Sequence, residues 1–277
     1  MHHAKRGEVS VSMISNVDLR VRLARNRRDV ASAQALRYRV FYKEMGAAAD
    51  LRTKLWRRDF DRFDRACDHL LVIDRARRKV PPAIFGQVVG TCRLMRRPVA
   101  ERCGGFDSAG EFDLRPLLER FGTCLELGRS CVDSDYRSRA VIDRLWSGIA
   151  DYVVGHGIQV LFGCASLPGT RPELLAPLLA YLHHHHLAPP DCRPRALPER
   201  YVDMRRLPAA AVDRRAAWAQ LPPLLKGYLR LGAGIGDGAV IDHQFNTTDV
   251  CVVLPTELMS ARYQRHFFAR LDARAAA

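Results

Sequence analysis

No run of eighteen or more apolar residues occurs in this 277-residue sequence, so it offers no transmembrane helix. Met1 to Arg28 is polar and rich in arginine, and it lacks the apolar core of a secretory signal. The expectation is a cytoplasmic protein whose only membrane contact would be peripheral, at the inner membrane. The eight cysteines contain no C-x-x-C pair. Several sit in apolar strand-like runs (Cys92, Cys124, Cys131, Cys164, Cys251) and read as small reduced hydrophobes, so no metal site is expected. Lysine is scarce, and arginine supplies most of the 44 basic residues that outweigh 30 acidic ones, for a net charge of +14. No aromatic-interleaved basic stripe or nucleic-acid motif accompanies that charge, so an acidic protein or an anionic lipid surface is the better partner, and nucleic acid is not expected. There is no internal repeat and no Gly/Ser linker. Residues 1–16 read as a disordered basic tail and 17–272 as a single domain.

The most informative stretch is Leu125-Glu126-Leu127-Gly128-Arg129-Ser130-Cys131-Val132. It is an apolar strand with a carboxylate and a guanidinium in its middle, which is costly to bury unless paired or used. Side chains on a regular strand alternate, so Glu126 and Arg129 would face opposite sides. A bulge at Gly128 would bring them onto one face and splay the strand from its neighbour. The turn that follows, Arg137-Ser138-Arg139, starts an amphipathic helix running to His156, with Ser138 as a candidate N-cap. Backbone N–H groups and basic side chains there would favour an anion.

Other elements follow from periodicity and breakers. A short strand is expected over Val17–Leu23 and a helix over Asp29–Glu44. Strands are expected over His69–Ile73 and Gly86–Met95, joined through a turn region at Val80-Pro81-Pro82. Phe112–Phe121 reads as a helix, Thr123–Val132 and Val160–Leu167 as strands, and Pro172–His185 as a helix. Arg214–Leu231 is helical with a break at Pro222-Pro223. Ala239–Phe245 and Val250–Leu254 form a late hairpin turning at Asn246–Asp249. This order is that of one mixed α/β domain. His183–His186 spread around a helix and cannot all reach one metal, so a solvated helix end is expected. The His186-x4-Asp191 spacing matches an acyltransferase signature but contains two prolines, and is read as chance.

An ordered set of motifs resembles a known family. It runs through Arg37-Tyr38-Arg39-Val40-Phe41, Asp59-Phe60-Asp61-Arg62-Phe63-Asp64, Gly90-Thr91-Cys92-Arg93-Leu94 and Glu126-Leu127-Gly128-Arg129. The set resembles acyl-homoserine-lactone synthases. With Cys67-Asp68-His69-Leu70, Leu161–Thr170 and Leu221–Tyr228 added, it more closely resembles the ornithine–acyl carrier protein N-acyltransferases. Both belong to the GCN5-related N-acetyltransferase (GNAT) superfamily. The resemblance implies an α/β fold with a mixed sheet, a bulged central strand, flanking helices, a helical C-terminal extension and the late hairpin.

It also implies a reaction: a (3-hydroxy)fatty acyl thioester on acyl carrier protein is attacked by the α-amino group of L-ornithine, the first step of ornithine lipid synthesis. No cofactor beyond the carrier thioester is implied. Aminolysis needs a proton acceptor, for which Glu126 is the candidate, acting directly or through water beside Arg129. Arg37, Phe41, Asp59, Asp61, Asp64 and Arg93 are the expected acceptor-binding set. The three aspartates would face the amines, or else be neutralised by Arg37, Arg93 and Arg129 as a structural ion network. Arg93 could grip a carboxylate in bidentate fashion. Arg137, Ser138 and Arg139 lack the superfamily's phosphate-turn glycines, so the single phosphate of a carrier phosphopantetheine should fit better than coenzyme A. The alternatives are a lactone synthase using S-adenosylmethionine and a non-enzymatic basic module that binds membrane or nucleic acid.

Overall fold

The computed structural model describes residues 18–77, 87–137 and 139–258. The tail over 1–16, the Val80–Pro82 turn, Gly86, Ser138 and everything after Leu258 lie outside the described residues, and of Arg139 only the backbone is described. The strands are β1 (Leu19–Leu23), β2 (Asp68–Asp74), β3 (Val88–Arg96), β4 (Phe112–Asp113), β5 (Cys124–Val132), β6 (Val160–Pro168), β7 (Arg195–Ala196), β8 (Gly234–Asp242) and β9 (Thr247–Pro255). The α-helices are α1 (Arg27–Arg37), α2 (Leu51–Trp56), α3 (Arg97–Arg102), α4 (Arg115–Arg120), α5 (Arg139–Gly155), α6 (Ala176–His186), α7 (Arg214–Gln220) and α8 (Pro223–Leu231).

The sheet is mixed, in the order β1-β2-β3-β5-β6-β9-β8-β7-β4. Among the described strands only β5–β6 and β7–β8 pair in parallel. Strand residues alternate between two packed faces, as period-two side chains require. Leu70, Val72, Leu125 and Leu127 face Val141, Leu145 and Ile149 of α5, in a core that also takes in α6, α7 and α8. On the other face, Leu71 and Cys131 meet Ala33 and Leu36 of α1. Met95, Phe162 and Val253 pack there with Val99 of α3 and Leu117 of α4. The resulting architecture, helices on both faces of a mixed sheet, is the α/β class expected.

Several boundaries differ for local reasons. The Asn26 side chain caps α1 by accepting from the backbone N–H groups of Arg28 and Asp29. The expected helix to Glu44 then changes character after Arg37 into a π-helical turn over Tyr38–Glu44, ending with Met45 N–H on the Val40 carbonyl at 3.0 Å. The expected helix over Phe112–Phe121 opens with the two-residue β4 and becomes helical only around Pro116. Likewise α6 starts at Ala176, around Pro177, because a proline without an N–H is tolerated in the first helical turn. The hairpin turn lies at His243–Asn246, earlier than expected. Asp242 accepts from the N–H groups of Gln244 and Phe245 at 2.8 and 3.0 Å, and Asn246 takes the left-handed φ of 55°. The hairpin is no appendage: β9 lies between β6 and β8.

The feature that positions a site is a split. Strands β5 and β6 pair only over Cys124–Glu126 and Val160–Phe162. Past that point a Cβ on Gly163 would lie 2.2 Å from the Leu127 carbonyl oxygen, so only glycine fits where the two strands begin to diverge.

Candidate active site

Glu126 is the last residue of β5 paired to β6, and Arg129 follows on the free stretch. Gly128 stands opposite Arg93 and Cys131 opposite Thr91, so Arg129 and Ser130 together face Cys92. The bulge expected at Gly128 therefore sits one residue later. Arg129 itself adopts the left-handed conformation, with φ of 49°. A non-glycine residue held there is strained and needs its surroundings to fix it.

Glu126 is 4 % exposed. It accepts hydrogen bonds from the backbone N–H groups of Asp107 and Ser108 at 2.9 and 2.7 Å, and from the Ser108 hydroxyl. Burial pushes its pKa above the ordinary glutamate value. The Ser108 donors oppose that shift and the neighbouring Asp107 carboxylate reinforces it. Glu126 makes no ion pair with Arg129; the ion pairs of Arg129 run to Asp61 at 3.4 Å and Asp59 at 3.9 Å.

The aspartate cluster is largely neutralised. Arg37, 1 % exposed, donates from Nε to Asp59 at 2.7 Å and from both terminal nitrogens to Asp64 at 2.8 and 2.9 Å. Arg93 donates to Asp61 and Asp107, both at 2.5 Å, and to Asp64 at 3.3 Å. Burial alone would raise the Asp64 and Asp61 pKa values. Arg37 overrides it at Asp64, Arg93 and Arg129 override it at Asp61, and both carboxyls end below the ordinary range. Asp59 and Asp64 thus face arginines, and both Arg93 termini are committed. These contacts are those of the ion network, one of the two expectations for this set, and they close the N-terminal segment over β3. Asp61 and Arg129 stay partly open, their side chains 22 % and 23 % exposed, and Arg129 Nε is buried without a hydrogen-bond partner, 3.9 Å from Asp59.

Phe41 packs edge-to-face on Phe245, and Arg129 lies over the Phe245 ring at 4.7 Å. Tyr42 donates to Asp59 at 3.0 Å. The hairpin tip therefore leans on the π-helical turn and walls the site. At the basic turn, Arg137 is half exposed and pairs with Glu44. Ser138 and the Arg139 side chain lie outside the described residues, so of the expected phosphate turn only Arg137 and the backbone start of α5 are described. All eight cysteines are free. Only His185 of the histidine run is exposed, a departure from a fully solvated helix end: His184 contacts the Leu207 carbonyl at 2.8 Å and His186 the Tyr181 hydroxyl at 3.0 Å.

Sequence reasoning missed Asp107 and Ser108. They lie in the glycine-rich Gly104–Gly110 segment, where no periodicity marks a position. It also missed Tyr42, Phe245 and the carboxylates Glu111, Asp242 and Asp249.

Residues 36–147 match the family model described as an acetyltransferase (GNAT) domain. The L-ornithine N(alpha)-acyltransferase of Brucella abortus (strain 2308) is 49 % identical over 256 residues, covering 92 % of this chain and 90 % of that relative. The chain belongs to the L-ornithine N(alpha)-acyltransferase family. A second relative of that name, from Agrobacterium fabrum, is 45 % identical over 251 residues, 90 % of this chain and 85 % of its own length. Among solved structures, an N-acyl amino acid synthase from uncultured soil microbes is similar with a TM-score of 0.49 at 10 % identity, over 87 % of this chain and 93 % of that chain. The family model and the curated relatives make the protein an acyltransferase of the GNAT type. Of the residues at its strand split, Glu126, Arg129 and the arginine–aspartate network fall inside the matched segment, whereas the hairpin that walls the site lies beyond it.

Proposed function

We propose that this chain moves a (3-hydroxy)fatty acyl group from acyl carrier protein to the α-amino group of L-ornithine, the first step of ornithine lipid synthesis, with residues 17–272 working as one acyltransferase unit. The observation that supports this most is Glu126: buried, with its pKa raised, at the mouth of the β5–β6 split beside Arg129. A thioester lying across the split would meet backbone N–H groups on the bulge, which serve as donors to the developing oxyanion. The α-ammonium gives its proton to Glu126, directly or through a water, and the free amine attacks the carbonyl carbon. As the tetrahedral species collapses, the C–N bond remains, the C–S bond breaks, and a proton goes to the departing thiolate. Arg129, partly open and with no hydrogen bond at Nε, is suited to the acceptor's carboxylate. No metal or prosthetic group takes part, and the carrier thioester is the donor.

Arg137, Ser138 and Arg139 are assigned to the carrier's phosphopantetheine phosphate, and the net charge of +14 would steer an acidic carrier. A cytoplasmic location with peripheral contact to an anionic inner membrane fits two features. No helix of the described residues is long and apolar enough to cross a membrane. On α2, Leu51, Leu55 and Trp56 are 86 %, 80 % and 59 % exposed among basic residues.

Purified protein with acyl-loaded carrier and ornithine should give N-acylornithine and free carrier thiol. Thiol release that requires S-adenosylmethionine and ignores ornithine would replace this reading with a lactone synthase. Glu126→Gln should lower kcat roughly 10²-fold. Arg137→Ala should raise KM for the carrier and weaken its salt dependence, leaving KM for ornithine nearly unchanged.

A further inference from the structure

A second group of acids lies on the face that carries Glu126. Carboxylate oxygens of Glu111, Asp242 and Asp249 lie within 4.8 Å of one another. Glu111 precedes β4, Asp242 ends β8, and Asp249 sits on β9 opposite Val240. Their compensation is thin. Arg200 reaches Glu111 at 3.4 Å from the rim, and the Cys164 thiol donates to Glu111 at 3.3 Å. Asp242 holds the N–H groups of its own turn.

Two buried polar atoms beside this cluster have no hydrogen-bond partner: Asp249 Oδ1 and Thr247 Oγ1. Asp249 is 6 % exposed and Thr247 2 %; the Ser166 and Thr247 hydroxyls lie beside the Asp249 carboxylate and favour its charged form, but neither makes a well-formed bond to Oδ1. A buried acceptor left without a donor costs free energy, so an orphaned carboxylate oxygen among carboxylates marks a place for a cationic donor.

The acid cluster adjoins the reacting centre. Cys164, which donates to Glu111, follows Gly163, where β6 begins to leave β5. Arg129 acts electrostatically on Asp249, and Glu126 acts on Cys164 and Cys251. An amino acid whose carboxylate meets Arg129 and whose α-amine meets Glu126 would extend its side chain toward these acids.

We infer that Glu111, Asp242 and Asp249 form the pocket for the side-chain ammonium of a diamino-acid acceptor, and so set the preference for a diamino acid over a neutral one. This inference rests on the acyl transfer proposed above. An ammonium brings one positive charge and three N–H donors to three carboxylates. A divalent cation fits less well. Hard cations take six or more oxygen ligands, and Arg200 and Arg129 already place positive charge nearby.

The test compares ornithine with norvaline, which has the same carbon skeleton without the distal amine, using the full chain and acyl-loaded carrier. The wild type should favour ornithine in kcat/KM. Asp249→Asn and Glu111→Gln should each lower the ornithine-to-norvaline ratio roughly 10- to 100-fold, the size of one charge-assisted hydrogen bond, mainly through KM for ornithine. KM for the carrier should stay put. Asp203→Asn, at an exposed pair with Arg205, should keep the wild-type ratio. Both variants retaining the wild-type ratio would overturn the inference. So would a wild type that acylates norvaline as well as ornithine, an outcome that leaves acyl transfer standing. If neither amine is acylated, the acyl-transfer reading fails. Thermal shift on the acyl-free protein then decides the pocket: ornithine but not norvaline should raise Tm in the wild type, and Asp249→Asn should lose that shift. Stabilisation by Mn²⁺ or Ca²⁺ alone, abolished by Asp249→Asn, would make this a metal site and overturn the proposal.

Discussion

Two groups of carboxylates lie on one face of the sheet near the strand split, and they differ in what answers their charge. Asp59, Asp61 and Asp64 are matched by Arg37, Arg93 and Arg129, with contacts mostly between 2.5 and 3.4 Å. Their titration is pulled down where it is shifted. Among the described residues, Glu111, Asp242 and Asp249 have only Arg200 on the rim and Arg129 at a remove, and where titration is shifted it is pushed up: Asp249 rises, and burial followed by repulsion from Asp249 lifts Glu111 to about 7. Crowded acids are thus no guide to a cation site until the basic partners are known. The cluster that is dense in sequence is answered by arginines, and the cluster assembled from distant segments is answered far less.

The harshest way to break this contrast is to remove the central cation of the matched group. Arg37→Met leaves buried Asp59 and Asp64 only the longer arginine contacts, from Arg129 at 3.9 Å and Arg93 at 3.3 Å, and should cost about 3–5 kcal/mol in urea unfolding. An unchanged urea midpoint would show that the two groups are equally tolerant.

The unmatched group should show itself in the pH dependence of stability. Glu111 titrates near 7 folded and near 4.5 unfolded. Between those values the native state holds the extra proton, so stability falls as pH rises through that window. Glu111→Gln removes this term. The variant should therefore gain Tm relative to wild type on going from pH 5 to pH 8, and a pH-independent difference would contradict the assignment.

Asp61 is half open and shares Arg93 with Asp64 and Asp107. Asp61→Asn should cost about 1 kcal/mol, because both arginines keep other partners. Smallest of all is the exposed pair of Arg115 with Asp113: Arg115→Ala should leave the unfolding midpoint where it is.

Strands β2, β3, β5 and β6 were legible because apolar runs and Gly/Pro breakers bound them. Helix α5 was legible from Val141, Leu145 and Ile149 at helical spacing. The bulge was legible as a charged pair around a glycine, yet its position was not. Which residue takes a left-handed φ depends on the facing strand, where Cys92 alone meets Arg129 and Ser130. The hairpin turn was missed because the Asp242 side chain, not a run of turn-forming residues, closes it.

By itself the sequence determined the α/β order, the split-strand motif ending in Glu126 and Arg129, and the family to which they belong, because these features are local patterns of polarity, spacing and backbone freedom. Only the tertiary structure decided which carboxylates are spent. The charge on Asp64 is silenced by Arg37 and Arg93, whereas Glu111, Asp242 and Asp249 come together only when β9 inserts beside β6. Electrostatic energy depends on distance in space and on burial, and neither can be read along a chain.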